Sequence, residues 1–272
     1  MSFLINPKTT EKKNIMEETI VSTFDQLCFS FGDEDAISVD GEDTHTSVSY
    51  YEIQEYSKNL AYQLYWRFQP DYVLVDCQRI ACAEAVATLA CMRIQCPFVP
   101  VSCFDQHRPG RLNAVVEHLR KYGKRKGTDE PHIVAVTVCE NDLDPILAVF
   151  QQADVHQILY LDETGAIREQ VQVPSHLPTL ERNDDLMVLF TSGTTVGTPK
   201  AVVGSHAATL RRIQWFHKEF ESSPRIIRKT ALTFVDGITE LWSTLLDRNS
   251  LLVAISPTKL QMEGLAAILR AE

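Results

Sequence analysis

Between residues 72 and 161 short apolar runs alternate with amphipathic stretches. Strand-like runs at 72–76, 98–101, 132–138 and 157–161 are separated by helix-like stretches at 82–94, 108–121 and 143–152. A connection that contains a helix returns the chain to the end of the sheet where it started, so successive strands run parallel and the helices cover the faces. The spacing predicts an α/β fold of layered parallel sheets flanked by helices. It excludes a β-barrel and a helical bundle.

The flanking sequence adds elements to both sides. Residues 1–19 are polar and read as a loose lead-in to one domain over 20–272. A helix is expected over 20–31, with Ile20, Phe24, Leu27 and Phe31 on one face, then a strand over 36–39 and an acidic turn over 40–46. Ser49 followed by Glu52 is a capping box. Ile53, Tyr56, Leu60 and Leu64 follow it at helical spacing. Beyond 161, a polar connection (163–183) leads to a hairpin (186–203). After it come a helix with Leu210, Ile213, Trp215, Phe216 and Phe220 as its apolar face, strands at 229–234 and 250–255, and a closing helix carrying Leu260, Leu265, Ile268 and Leu269.

Composition narrows the function classes. The 272 residues carry a net charge of −10, from 26 basic and 36 acidic side chains, which suits neither nonspecific nucleic-acid binding nor an anionic membrane surface. The one basic cluster, Arg120 and Lys121 with Lys124, Arg125 and Lys126, reads as a solvated loop. No apolar run is long enough to span a bilayer, and residues 1–20 lack a signal-peptide core, so a cytoplasmic protein is expected. Seven cysteines, with no Cys-x2-Cys among them, read as reduced and mostly buried thiols rather than zinc ligands.

The hairpin carries the chemistry. Phe190-Thr191-Ser192-Gly193-Thr194-Thr195-Val196-Gly197-Thr198-Pro199-Lys200 places hydroxyl side chains, two glycines and a lysine at its tip. Glycine lets the backbone approach a ligand closely, hydroxyls and amides donate hydrogen bonds, and Lys200 supplies positive charge; the set suits a polyphosphate. It is not a Walker A loop, because Pro199 and Ala201 flank the lysine where Gly and Ser or Thr are required.

This stretch resembles the phosphate-binding signature Thr-Ser-Gly-Thr-Thr-Gly-x-Pro-Lys-Gly of the adenylate-forming superfamily, which includes acyl-CoA synthetases, luciferases and adenylation domains of nonribosomal peptide synthetases. The chain departs from that signature by one inserted residue, most simply Val196, and by Ala201 in place of the last Gly. Three further stretches are similar to family landmarks in order. Ser49-Tyr50-Tyr51-Glu52-Ile53 resembles the entry helix, Phe98-Val99-Pro100 resembles a Tyr-Val-Pro stretch, with Gln95 where Gly is usual, and Pro109-Gly110-Arg111-Leu112 resembles a Pro-x-x-Arg-Leu helix start.

The resemblance implies ATP-dependent activation of a carboxylic acid, with acyl-adenylate formation and then thioester formation on CoA or a phosphopantetheine carrier, and with ATP and Mg²⁺ as cofactors. It implies phosphate binding by Thr191, Ser192, Gly193, Thr194, Thr195, Gly197, Thr198 and Lys200. Phe234-Val235-Asp236 resembles the substrate-pocket motif Phe-Asp-x-Ser-x-x-Glu, in which the Asp pairs with a substrate ammonium group. Val235 at that position implies an acid without an α-amino group, while Asp236 one step later is a shifted partner or a turn acid. His206 matches a family position after the hairpin; it is a substrate contact or a helix-capping residue.

No metal ligand and no catalytic residue is assigned, because the family's catalytic lysine lies in a later, smaller domain. The adenine, ribose and hinge motifs are likewise not found before Glu272, so the resemblance implies the truncated N-terminal part of the large domain, with impaired or no adenylation. A noncatalytic nucleotide-binding or partner-binding protein is the alternative. The Gly-Ser-His after the hairpin points within the superfamily to the β-alanine-activating type.

Overall fold

The computed structural model describes residues 18–40, 45–77, 80–103, 110–123, 130–138, 145–169, 171–191, 199–220 and 223–255. Two sheets organise them. The larger has the order β6-β5-β3-β4-β7-β8, built from β3 (Tyr72–Asp76), β4 (Phe98–Val101), β5 (Ile133–Val138), β6 (Ile158–Leu161), β7 (Asp185–Thr191) and β8 (Lys200–Ser205). All its pairings are parallel except the β7/β8 edge. The smaller has the order β2-β1-β10-β9, from β1 (Asp35–Asp40), β2 (His45–Ser49), β9 (Arg225–Arg228) and β10 (Leu251–Ile255); only β1/β2 is antiparallel.

The helices sit where crossover handedness requires. From β3 the chain passes through α3 (Ala81–Arg93) to β4 on one side, then through α4 (Arg111–Tyr122) back across to β5, and through α5 (Pro145–Gln152) on to β6. Right-handed crossovers in opposite directions place their helices on opposite faces. Val73 and Val75 accordingly join α3 in the larger core, while Leu74 between them packs with Leu112, Val116 and Leu119 of α4 in the smaller one.

The larger core also takes in α1 (Ile20–Phe31), α2 (Tyr50–Gln63), α7 (Val235–Leu245) and Ile37, Leu252 and Ala254 of the smaller sheet. Every residue from Ala81 to Met92 is buried. A helix buried on all sides is stable only between layers, which explains its run of Ala and Cys. Cys28, Cys77, Cys82, Cys91 and Cys96 are buried thiols; burial pushes Cys82 up to about 12. Cys139 lies outside the described residues, as do the 124–126 cluster and the closing helix.

Local capping agrees with the sequence. Ser49 N–H donates to Glu52 Oε2 at 2.8 Å and Glu52 N–H donates to Ser49 Oγ at 3.2 Å, closing the box that starts α2. Two expectations are corrected. The strand anticipated over 229–234 lies at Arg225–Arg228, because residues 229–234 turn back to start α7. In α6 (His206–Glu219) only Thr209 and Ile213 are buried; Trp215 and, just beyond the helix, Phe220 are 52% and 53% exposed, their rings meeting each other edge to face.

Candidate functional site

The β7/β8 ladder closes at Thr191 opposite Lys200, and the hairpin begins with Asp185 opposite Ser205. Because β7 runs parallel to β4, its end at Thr191 lies at the carboxyl edge of the sheet, where β3, β4 and β5 also end. Ligands of open α/β sheets bind outside that edge. Thr191 and Lys200 are both exposed there, and the Thr191 hydroxyl donates to the Lys200 carbonyl at 3.5 Å. Ser192, Gly193, Thr194, Thr195, Gly197 and Thr198 lie outside the described residues.

The root of this loop is held from α4. An Arg111 Nη2–H donates to the Phe190 carbonyl at 2.9 Å, and the His118 ring meets the Phe190 ring edge on at 5.3 Å.

His206 lies at the other end of the hairpin. Ser205, not His206, caps α6, accepting from Ala208 N–H at 3.2 Å, and His206 N–H donates to the Asp184 carbonyl. Five strand residues at about 3.4 Å each put roughly 17 Å between Lys200 and Ser205, so His206 and Lys200 lie at opposite ends of β8. Burial, then the charge of Arg182, lower the His206 pKa, against the opposing charges of Asp184 and Asp185.

The third candidate group starts α7. Phe234 occupies the N-cap position and is 65% exposed, and Val235 is 40% exposed. Asp236 is an ion-pair partner of Arg212 on α6, whose Nε–H donates to Thr239 Oγ1 at 2.8 Å. Gly237 is required by close approach: a Cβ there would sit 2.2 Å from the Ala231 carbonyl oxygen.

A buried network fixes the same segment from below. The Arg228 guanidinium pairs with Glu84 of α3 at 2.7 Å, donates to the Gly237 carbonyl at 3.1 Å and to the Thr230 carbonyl, and lies 3.6 Å from Glu240. Glu240 in turn accepts from the Lys229 and Thr230 N–H groups. Sequence reasoning missed Arg212, Arg228 and Glu84, whose partners are distant in sequence. It also missed Asp76, buried at the end of β3, which accepts from Thr137 Oγ1 at 2.9 Å and from the Cys103 N–H at 3.3 Å.

Gln95, where the resembling family has Gly, holds a positive φ of 55°, a conformation that favours glycine. Its side-chain oxygen accepts from Asn183 N–H and its carbonyl accepts from Asn183 Nδ2, tying the end of α3 to the start of the hairpin.

Comparison with known proteins adds four likenesses. The profile of the family described as AMP-binding enzyme matches residues 24–271. The beta-alanyl-bioamine nonribosomal peptide synthetase ebony of Drosophila melanogaster is 40% identical over 91 residues, 32% of this chain and 10% of its own length. The luciferase-like enzyme of the Zophobas morio mealworm shares the fold with a TM-score of 0.67 at 15% identity, over 95% of this chain and 58% of that one. The fatty acyl-adenylate ligase of L. pneumophila, solved with acyl adenylate and pyrophosphate, does so with a TM-score of 0.65 at 14% identity, over 96% of this chain and 44% of that one. The chain thus spans less than two thirds of each of these proteins.

Proposed function

This chain belongs to the AMP-binding enzyme family, and from that premise we propose that its 191–200 loop is the pyrophosphate cradle of an ATP-dependent carboxylate activation. The observation that carries the reading is the placement of Thr191 opposite Lys200 at the carboxyl edge of the parallel sheet. In the proposed reaction the acid's carboxylate attacks the α-phosphorus of ATP, the bond to the β-phosphate oxygen breaks, and pyrophosphate leaves. The thiol sulfur of CoA or of a phosphopantetheine carrier then attacks the acyl carbon, the bond to the phosphate oxygen breaks, and AMP leaves as the thiol gives up its proton.

The chain's own residues supply positioning and charge. In this reading Lys200 acts on the leaving pyrophosphate, whose charge grows in the transition state. Magnesium would neutralise phosphate charge when bound. Magnesium characteristically binds through nucleotide phosphates with few protein ligands, and no step is routed through it.

The acid is one without an α-amino group. Val235 stands where an ammonium partner would be needed, and Asp236 already pairs with Arg212. An ammonium group desolvated without a partner is costly, which selects against α-amino acids. No helix of the described residues is long and apolar enough to cross a membrane, in keeping with a cytoplasmic site for this chemistry.

Acid-dependent exchange of radiolabelled pyrophosphate into ATP tests the reading. Exchange that is weak in this chain, as impaired adenylation implies, but stimulated by fatty, aryl, β-amino or other acids without an α-amino group and not by α-amino acids, is the expected result. Exchange confined to α-amino acids would overturn the substrate class. Binding of ATP with no exchange for any acid would leave a noncatalytic nucleotide-binding protein.

A further inference from the structure

Asp236 and Thr239 stand three residues apart at the start of α7, so both project from one side of the helix. Arg212 of α6 holds the two together. Its Nη2–H donates to the Asp236 carboxylate, and its Nε–H donates to Thr239 Oγ1 at 2.8 Å. The buried Thr239 hydroxyl extends the contact by donating to the Val235 carbonyl at 3.1 Å.

The side chains of Arg212 and Asp236 are 43% and 70% exposed, and an ion pair so exposed has little strength of its own. The bond to Thr239 strengthens it, because a planar guanidinium already fixed at one nitrogen loses little further freedom when another meets a carboxylate. Asp236 is thereby occupied by a cation of the chain itself. Beside the pair, Phe234 and Val235 present exposed apolar side chains. An acid lying against them meets a carboxylate already neutralised and a guanidinium that repels an ammonium group.

We propose that Arg212 is a specificity-determining residue: by occupying Asp236 it keeps that carboxylate from a substrate's α-ammonium group and so excludes α-amino acids. The role rests on the reading of the start of α7 as part of the acid's binding site. Val235 removes the ammonium partner at one position, and Arg212 closes the alternative one residue later.

Pyrophosphate exchange by the full chain tests it, with each acid that drives exchange set against its α-amino counterpart, in Arg212→Gln, Arg212→Lys and Arg212→Gln combined with Asp236→Asn. His217 Nε2–H donates to the Ser243 carbonyl at 2.7 Å, so α6 keeps another hold on α7 when Arg212 is changed. Arg212→Gln is expected to raise exchange with the α-amino acid, relative to its amino-free counterpart, at least about tenfold, the scale of one hydrogen bond to a charged group. Arg212→Lys, which keeps the cation, retains the preference of the unmodified chain, and adding Asp236→Asn to Arg212→Gln abolishes the gain. An unchanged preference in Arg212→Gln would overturn the inference while leaving acid activation in place, and so would a gain that survives Asp236→Asn. Exchange with no acid at all in the unmodified chain would overturn the reading of the site and the inference together.

Discussion

Arg228, on the edge strand of the smaller sheet, and Glu84, on the central helix α3, form an ion pair of 2.7 Å with their side chains 4% and 1% exposed. The pair ties the smaller sheet to the helix layer that packs on the larger one. Removing one partner leaves an uncompensated buried charge, which costs about 3–5 kcal/mol, whereas replacing both by apolar residues of similar size is often close to neutral. Glu84→Ala and Arg228→Ala should each lower the urea midpoint strongly, and Glu84→Leu with Arg228→Met should regain most of the loss. Additive losses in the double variant would contradict this account of the pair.

Gly237 allows α7 to begin against the 230–231 turn. Since a Cβ at that position would lie 2.2 Å from the Ala231 carbonyl oxygen, Gly237→Ala has to move backbone and should cost about 1–3 kcal/mol, readable by thermal unfolding. Unchanged stability would show that the turn yields freely.

Gln95 predicts a contrast between two substitutions. Both Gln95→Gly and Gln95→Ala lose the bond from the side-chain oxygen to Asn183 N–H, but only Ala keeps a Cβ at φ 55°. The Gly variant should be the more stable by about 1 kcal/mol in denaturant titration. Equal stability would mean that the loop relaxes out of the left-handed region.

His206 gives a pH dependence. Its folded pKa is lowered from 6.5, chiefly by burial, so below about pH 6.5 the unfolded chain binds the proton more readily than the folded one. Its contribution to stability therefore falls as pH drops through 6.5 towards the folded value. His206→Gln should flatten that part of the stability profile. A slope unchanged by the substitution would assign it to other groups.

Much of this fold was legible because its signals are local. Ser49 and Glu52 stand one helical turn apart and announce α2, and the strand and helix runs from 72 to 161 carry their own periodicity. The elements that escaped depend on distant partners. β2 reads as a turn until it is seen antiparallel to β1, and β9, the four residues Arg225–Arg228, is a strand only because β10 lies beside it.

The candidate site was legible in the same uneven way. The hairpin and the start of α7 stand out as motifs, yet the side chains that brace them, Arg228 from Glu84 and Arg212 from Asp236, find their partners across the fold. Trp215 and Phe220 kept helical spacing without being buried, because spacing specifies a face and not what lies against it. Arg111 was visible as a motif residue. Its bond to Phe190 was not.

The most direct test of the central claim is equilibrium binding of magnesium ATP and magnesium pyrophosphate to the full chain, with Lys200→Ala alongside. The account predicts saturable binding of both ligands to the unmodified chain. Lys200→Ala should weaken it at least about tenfold, the effect of losing one charged contact to phosphate. No binding by the unmodified chain, or equal binding by Lys200→Ala, would contradict the assignment of this loop as a phosphate cradle.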